Sequence, residues 1–352
     1  MDRRAWLARA AALAAAPAWS AAASAQARRT VVDDAGRKVR VPERSARVFA
    51  AGPPASILVF AVAPDALLGW TTPFRPSERP FVAAKYADLP VTGRLTGRGN
   101  TASVELVLAS RPDLIVDYGA INDTYASLAD RVQEQTGIPT LLLDGSFDAI
   151  PPSLRMIGTL TGEVAGADAL ARYARETVDD VAKRVATVPA AKRPRLYYGR
   201  GPQGLSTGLA GSINLEVIDK LGAVNVAASM GRGGLVQVSL EQVLAWNPEV
   251  IVTTDPTFFA SVRRDPLWAT VDAVKTRRIH LAPADPFGWI DFPPSVNRLV
   301  GLRWRGRILY PEAFPDDLRA HAREFYTRLY HQSPPGAQLD RLIATAERAP
   351  PA

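Results

Sequence analysis

Residues 103–116 read SVELVLASRPDLIV, and residues 239–252 read SLEQVLAWNPEVIV, matching at eight of fourteen positions across an offset of 136 residues. Each copy places Ser first, Glu third, an apolar run next, and then Pro followed by an acid and an aliphatic run. The spacing is far too wide for a solenoid, whose repeats recur every 20 to 50 residues or so. Two similar lobes are the economical explanation.

Each copy spells a helix feeding a strand. Ser103 and Ser239 are placed to cap a helix N-terminus, and Glu105 and Glu241 then fall in its first turn, where a carboxylate meets the positive end of the helix dipole. Val107, Leu108, Val243 and Leu244 form the expected buried stripe. Pro112 and Pro248 end the helices, because the residue before proline is pushed out of the right-handed helical region. Leu114–Val116 and Val250–Val252 then read as buried parallel strands.

Around these copies the pattern alternates strand and helix, which argues for parallel α/β lobes. A hairpin is expected at Thr30–Val41 around Asp-Ala-Gly, strands at Arg47–Ala50, Ala66–Trp70 and Pro139–Leu143, and helices at Ala55–Ala61 and Leu128–Thr136. Gly166–Val188 carries Leu170, Tyr173, Thr177, Val181 and Val185 at helical spacing, which predicts one long amphipathic helix between the lobes. The second lobe repeats the order with a strand at Arg195–Tyr198, a helix at Ile213–Leu221, another near Pro266–Thr276 and a strand at Arg278–Leu281. The terminal region is helical from Pro293, with Asp316–His331 its clearest part. The expected organisation is an export signal at 1–27, a first lobe at 28–164, the connecting helix at 165–189, a second lobe at 190–332, and a loosely tied tail at 333–352.

Arg3-Arg4, the alanine-rich run from Ala10 to Ala23 and the small residues around Ala25 resemble a twin-arginine export signal, with ordinary Sec export the other route. An uncleaved anchor fits less well, since the run is short, alanine-dominated and broken by Pro17. The formal charge of +7 becomes +5 once Arg3, Arg4, Arg9 and Asp2 are removed. The excess is dispersed, which argues against nucleic acid and is compatible with an anionic small ligand. The chain has no cysteine, which removes disulfides, thiolate metal sites, cysteine nucleophiles and a lipid-modified cysteine. A soluble monomer retained in a bacterial periplasm is the expected state.

With two copies, a connecting helix and an export signal, the chain resembles the periplasmic substrate-binding proteins of iron-siderophore, haem and vitamin B12 ABC importers. The resemblance rests on DDAGRKVRVP near the start, the two repeat copies, GIPTLLLD after the first, and LTGEVAGADALARYARE entering the long helix. It implies two Rossmann-like parallel-sheet lobes joined by one long α-helix, with a ligand cleft between them. It also implies that Glu105 and Glu241 dock on arginines of the permease dimer, with no catalysis and no cofactor beyond metal carried by the ligand.

The cleft of such a fold is lined by loops at the carboxyl ends of the strands. Arg94, Arg98 and Arg200, each near glycine, are candidate anion clamps, since a guanidinium grips oxyanions bidentately. Trp70, Tyr118, Tyr198, Phe287 and Trp289 are candidates to stack on a flat chelate. Ser212 and Asn214 open a helix whose backbone N–H groups suit an oxyanion. The histidines, His280, His321 and His331, are dispersed, so direct metal ligation is not expected. Three readings follow: a receptor for a chelated metal, a molybdate or tungstate receptor of the same fold, and an exported bilobal enzyme. The last lacks a convergent acid/base pair and a nucleophile elbow.

Overall fold

The computed structural model describes residues 27–96 and 101–347. The export signal up to residue 26 and Arg98 lie outside the described residues.

The first lobe opens with the antiparallel pair β1 (Arg28–Val32) and β2 (Lys38–Pro42), turned at Gly36 with φ +77°. It continues through β3 (Val48–Ala50), α1 (Pro53–Val62), α2 (Ala84–Ala87), α3 (Val104–Ala109), β4 (Leu114–Gly119), α4 (Asp123–Thr136), β5 (Thr140–Asp144) and α5 (Ile150–Thr161). The three strands form a parallel sheet in the order β3-β4-β5. The strand expected at Ala66–Trp70 reduces to single bridges, Val48 with Leu67 and Trp70 with Val91. Pro64 starts a 3-10 turn there instead, so extended pairing begins late.

The connecting helix α6 (Val164–Ala186) buries Leu170, Thr177, Val181 and Val185, as its periodicity requires. The second lobe runs β6 (Arg195–Gly199), β7 (Ser206–Gly208), α7 (Glu216–Lys220), β8 (Val224–Asn225), β9 (Leu235–Gln237), α8 (Leu240–Trp246), β10 (Val250–Thr253), α9 (Pro256–Ser261), α10 (Asp272–Lys275) and β11 (Ile279–Leu281). Its sheet is parallel in the order β11-β10-β6-β8. The helix expected near Pro266–Thr276 shrinks to α10, and α9 forms ahead of it, capped by Asp255 accepting from the Thr257 and Phe258 N–H groups. Three helices close the chain: α11 (Arg298–Leu309), α12 (Leu318–Leu329) and α13 (Gly336–Glu347).

The repeat is built as expected and does more than cap helices. Ser103 Oγ accepts from Leu106 N and Ser239 Oγ from Gln242 N, each at 3.2 Å. The acid after each proline pins the neighbouring strand: Asp113 accepts from Arg47 N at 3.0 Å, and Glu249 from Arg195 N at 2.8 Å. Those two arginines then reach the carbonyl ends of the repeat helices, Arg47 at Ser110 O and Arg195 at Trp246 O, each at 2.6 Å. Leu108 departs from the expected stripe and is 46% exposed, because α3 has only six residues and only Val107 faces its sheet.

Strand alternation divides the core. Val48, Leu114, Val116, Leu196, Val250 and Val252 face one continuous cluster shared by both lobes. Phe49 and Ile115 face a private cluster of the first lobe, and Tyr197, Ile251 and Ile279 one of the second. The shared cluster is filled by α6, α11 and α12, so the connecting helix is one of several bridges. Tyr326 of α12 packs 5.1 Å from Phe81, and Tyr330, just past its end, lies 5.8 Å from Phe60, both rings of the first lobe. The tail expected to be loose is docked: α13 buries Leu339, Leu342 and Ala346, and the Trp304 indole donates to Ala346 O at 2.8 Å. Its apolar positions three and four residues apart form a stripe.

Candidate ligand cleft and docking face

The lobes meet at the carboxyl ends of their strands. A Cβ on Gly145, just after β5, would lie 2.9 Å from Ile213 Cδ1 of the second lobe and 3.0 Å from Gly119 Cα, so the close approach needs glycine there. Next to this seam, four candidate residues converge on an acid that sequence reasoning missed, Asp291, which is 1% exposed. Its Oδ2 accepts from the Tyr198 hydroxyl at 2.8 Å and pairs with Arg200 Nε at 2.9 Å. Its Oδ1 accepts from Asn214 Nδ2 at 2.7 Å and from Phe292 N at 2.8 Å. Ser212 Oγ lies 3.2 Å from Asn214 Oδ1 and orients that amide. Burial, reinforced by the Asp291 charge, pushes the Tyr198 hydroxyl well above the usual tyrosine range, so it stays a donor.

Arg200 is thereby held by one nitrogen. Its guanidinium lies 4.4 Å from the Phe292 ring, and its terminal nitrogens bond to no described residue. Arg200 borders a pocket of about 200 Å³ whose walls include Pro202, Gln203, Gln237 and Phe292. Phe292 is 56% exposed, with φ +59°, a backbone region that L-residues rarely adopt. No periodic pattern surrounds Asp291 or Phe292, so only the run of aromatics and prolines from Phe287 to Pro294 hinted at a built loop.

On the first lobe, Arg94 is half-buried and held by backbone bonds with Thr101, while its guanidinium bonds to no described residue. Behind it, Thr96 Oγ1 donates to Asp117 Oδ1 at 3.1 Å beneath Gly52. Burial raises the Asp117 carboxyl above its ordinary value, against the opposing Thr96 and Tyr118 N–H bonds.

Four aromatic candidates belong to the core, Tyr198 among them with no exposed surface. Trp70 is 2% exposed and its indole donates to Tyr86 O at 2.7 Å; Trp289 is fully buried and donates to the Tyr326 hydroxyl at 2.9 Å; Tyr118 is 1% exposed. Their large apolar rings fill the shared cluster, which leaves no face for a ligand. Phe287 is half-buried, 5.6 Å from both Trp70 and Phe74. The Ser212 N–H is taken by Leu209 O at 3.1 Å, and α7 starts only at Glu216, so the expected helix-end oxyanion site at Ser212 does not form.

Glu105 and Glu241 stand exposed on α3 and α8, and neither pairs with a described cation. Glu105 is lowered below the usual carboxylate value by the Ser103 hydroxyl and its own N–H, and Glu241 by its own N–H and the Ser239 hydroxyl. Two carboxylates are therefore offered to solvent, one per lobe. Among the described residues, no group of three or more His, Asp or Glu side chains is placed to hold a metal ion, and no helix is long and apolar enough to cross a membrane.

Two parallel α/β lobes that meet at the carboxyl ends of their strands are the architecture of a solute receptor. Residues 78–286 match the family described as periplasmic binding protein, and the chain belongs to it. The molybdate-binding protein MolA of Haemophilus influenzae is 28% identical over 259 residues, 68% of this chain and 73% of that one. An ABC transporter solute binding protein from Sulfurospirillum deleyianum superposes with a TM-score of 0.77 at 28% identity, covering 90% of this chain and 99% of that one. The structure of MolA bound to molybdate superposes at 0.70 with 25% identity, covering 87% of this chain and 98% of that one.

Proposed function

We propose that this chain is the periplasmic receptor of an ABC importer, that it captures a small oxygen-bearing anion of the molybdate or tungstate type, and that it delivers this anion to a permease dimer through Glu105 and Glu241. The supporting observation is Arg200, whose Nε ion-pairs with Asp291 at 2.9 Å and which borders a pocket of about 200 Å³. An arginine anchored in this way loses little freedom when it grips an oxyanion. Burial of Trp70, Tyr118 and Trp289 removes the broad aromatic platform that a porphyrin or corrin ring would need. Similarity to MolA supports the same ligand class.

A second reading keeps an anionic ferric chelate as the ligand, carrying its metal with it. The exposed Phe292 ring over Arg200 favours it, since one catecholate can stack there while its oxygens meet the guanidinium. An enzymatic role has no comparable support, because Tyr198 and Asp291 are consumed in mutual hydrogen bonds. Thermal-shift and calorimetric titration of the mature protein with molybdate, tungstate, sulfate, ferric siderophores, haem and cobalamin tests the assignment. The expected result is a midpoint rise with molybdate or tungstate that grows with saturation. A shift by haem or cobalamin alone overturns the anion reading.

A further inference from the structure

Arg298 stands seven residues beyond Asp291, at the first position of α11, with no exposed surface. Its Nη2 donates to Gly145 O in the first lobe. Its Nη1 donates to Ile213 O at 3.2 Å and to Glu216 Oε2 at 2.8 Å in the second lobe, and its Nε to Ser295 O at 3.1 Å. The guanidinium face covers the Phe147 ring at 4.6 Å. Glu216 completes the bridge, because its other oxygen accepts from Phe147 N across the seam at 2.8 Å. One buried cation and one acid therefore clamp the loop after β5 to the loop entering α7.

Those loops also carry the cleft. Asn214 lies between the two clamped positions Ile213 and Glu216, and it is a donor to Asp291. Asn297, beside Arg298, donates to Phe287 O at 3.1 Å and accepts from the Tyr330 hydroxyl at 2.9 Å, which fixes the other side of the segment. Segment 291–298 thus holds the acid that orients Arg200 at one end and the clamp of the lobe seam at the other. The other ion pairs across the seam are different in kind. Lys220–Asp148 at 2.7 Å and Arg75–Asp285 at 3.0 Å each have a largely exposed partner, and such pairs contribute little.

We propose that Arg298, acting with Glu216, is a positioning residue for the ligand cleft: it fixes the angle between the lobes and, through Asn214 and Asp291, the presentation of Arg200, without touching the ligand. The effect on affinity rests on the receptor reading above, whereas the effect on lobe geometry stands without it.

The chain has no cysteine, so a Gln135→Cys, Thr276→Cys pair, one exposed site in each lobe, takes two spin labels cleanly. Distances between the labels are measured in otherwise wild-type protein and in Glu216→Gln, Arg298→Lys and Lys220→Ala variants, together with the unfolding midpoint and the Kd for molybdate. Glu216→Gln keeps the shape and the acceptor for Phe147 N, so it should fold even if Arg298 variants do not. A single narrow distance is expected for the parent and Lys220→Ala. Glu216→Gln should broaden it and weaken molybdate at least tenfold, and Arg298→Lys, which cannot span Gly145 O and Ile213 O together, should do so at least as strongly. A narrow, unshifted distribution in Glu216→Gln overturns the proposal. So does a broadened distribution with unchanged molybdate affinity, which would leave Arg298 a purely structural role. Failure of the parent to bind molybdate counts against the ligand assignment alone, and the distance measurement then decides the clamp.

Discussion

The two copies of the repeat fold alike up to the last residue or two of their strands and diverge there. Both lobes keep a serine cap, an exposed glutamate, an acid that pins the adjacent strand, and an arginine on the helix carbonyls. Fourteen residues after each serine, the first lobe has the buried acid Asp117 and the second has Thr253, which is equally buried but neutral. Tyr118 and Gly119 then face Thr254 and Asp255 across the same register. The shared part builds the scaffold and exposes one glutamate per lobe; the divergent part gives the two lobes unlike strand ends.

The largest expected effect breaks the second wall. Asp291→Ala removes the acceptor of three hydrogen bonds and leaves the Arg200 charge, 8% exposed, without its ion-pair partner. A loss of about 3 to 5 kcal/mol in chemical unfolding is expected, since removing one member of a buried pair strands the other. Retention of wild-type stability would mean that Arg200 finds another partner.

Asp117 tests the first wall through pH. Because burial raises its folded value, the native state holds this proton more tightly than the unfolded chain does. Its contribution is therefore intact below the unfolded value, near pH 4, and declines as pH climbs from there through the raised folded value. Asp117→Asn keeps an acceptor for Thr96 and Tyr118 N. It should be more stable than wild type at neutral pH, by up to about 1.4 kcal/mol for each tenfold by which folding tightens the hold on that proton, with the gap closing near pH 4. A gap independent of pH would contradict a raised Asp117.

The smallest effects should be equal in the two lobes. Ser103→Ala and Ser239→Ala each remove one cap bond at 3.2 Å and should each cost about 1 kcal/mol in denaturant titration. A difference larger than the cost of one cap would show that the copies are not structurally equivalent.

Much of the scaffold was legible because short-range physics writes it. Caps, prolines, strand alternation and the stripe on α6 need only a few neighbouring residues to be read. Of the candidate site residues, Arg200, Tyr198, Asn214 and Ser212 gather around Asp291, but Tyr198 is fully buried there, and Trp70, Tyr118 and Trp289 also turn into the core. An aromatic residue near a strand end carries no mark in sequence of which face it will take, and tertiary packing decides. Asp291 and Arg298 were invisible for the same reason. Each is defined by distant partners, 77 to 153 residues away, such as Asn214 and Gly145. The stripe on α13 was concealed by the flanking prolines.

We propose that this receptor separates docking from capture, with glutamates on the repeat helices for the first and Arg200 for the second. Glu105→Arg, Glu241→Arg double charge reversal tests it most directly, with uptake by cells carrying the importer and molybdate Kd of the purified protein measured side by side. Uptake should fall to background while Kd stays within about twofold, because neither glutamate contacts a described residue of the cleft. Undiminished uptake, or a tenfold loss of affinity in the purified protein, would contradict the account.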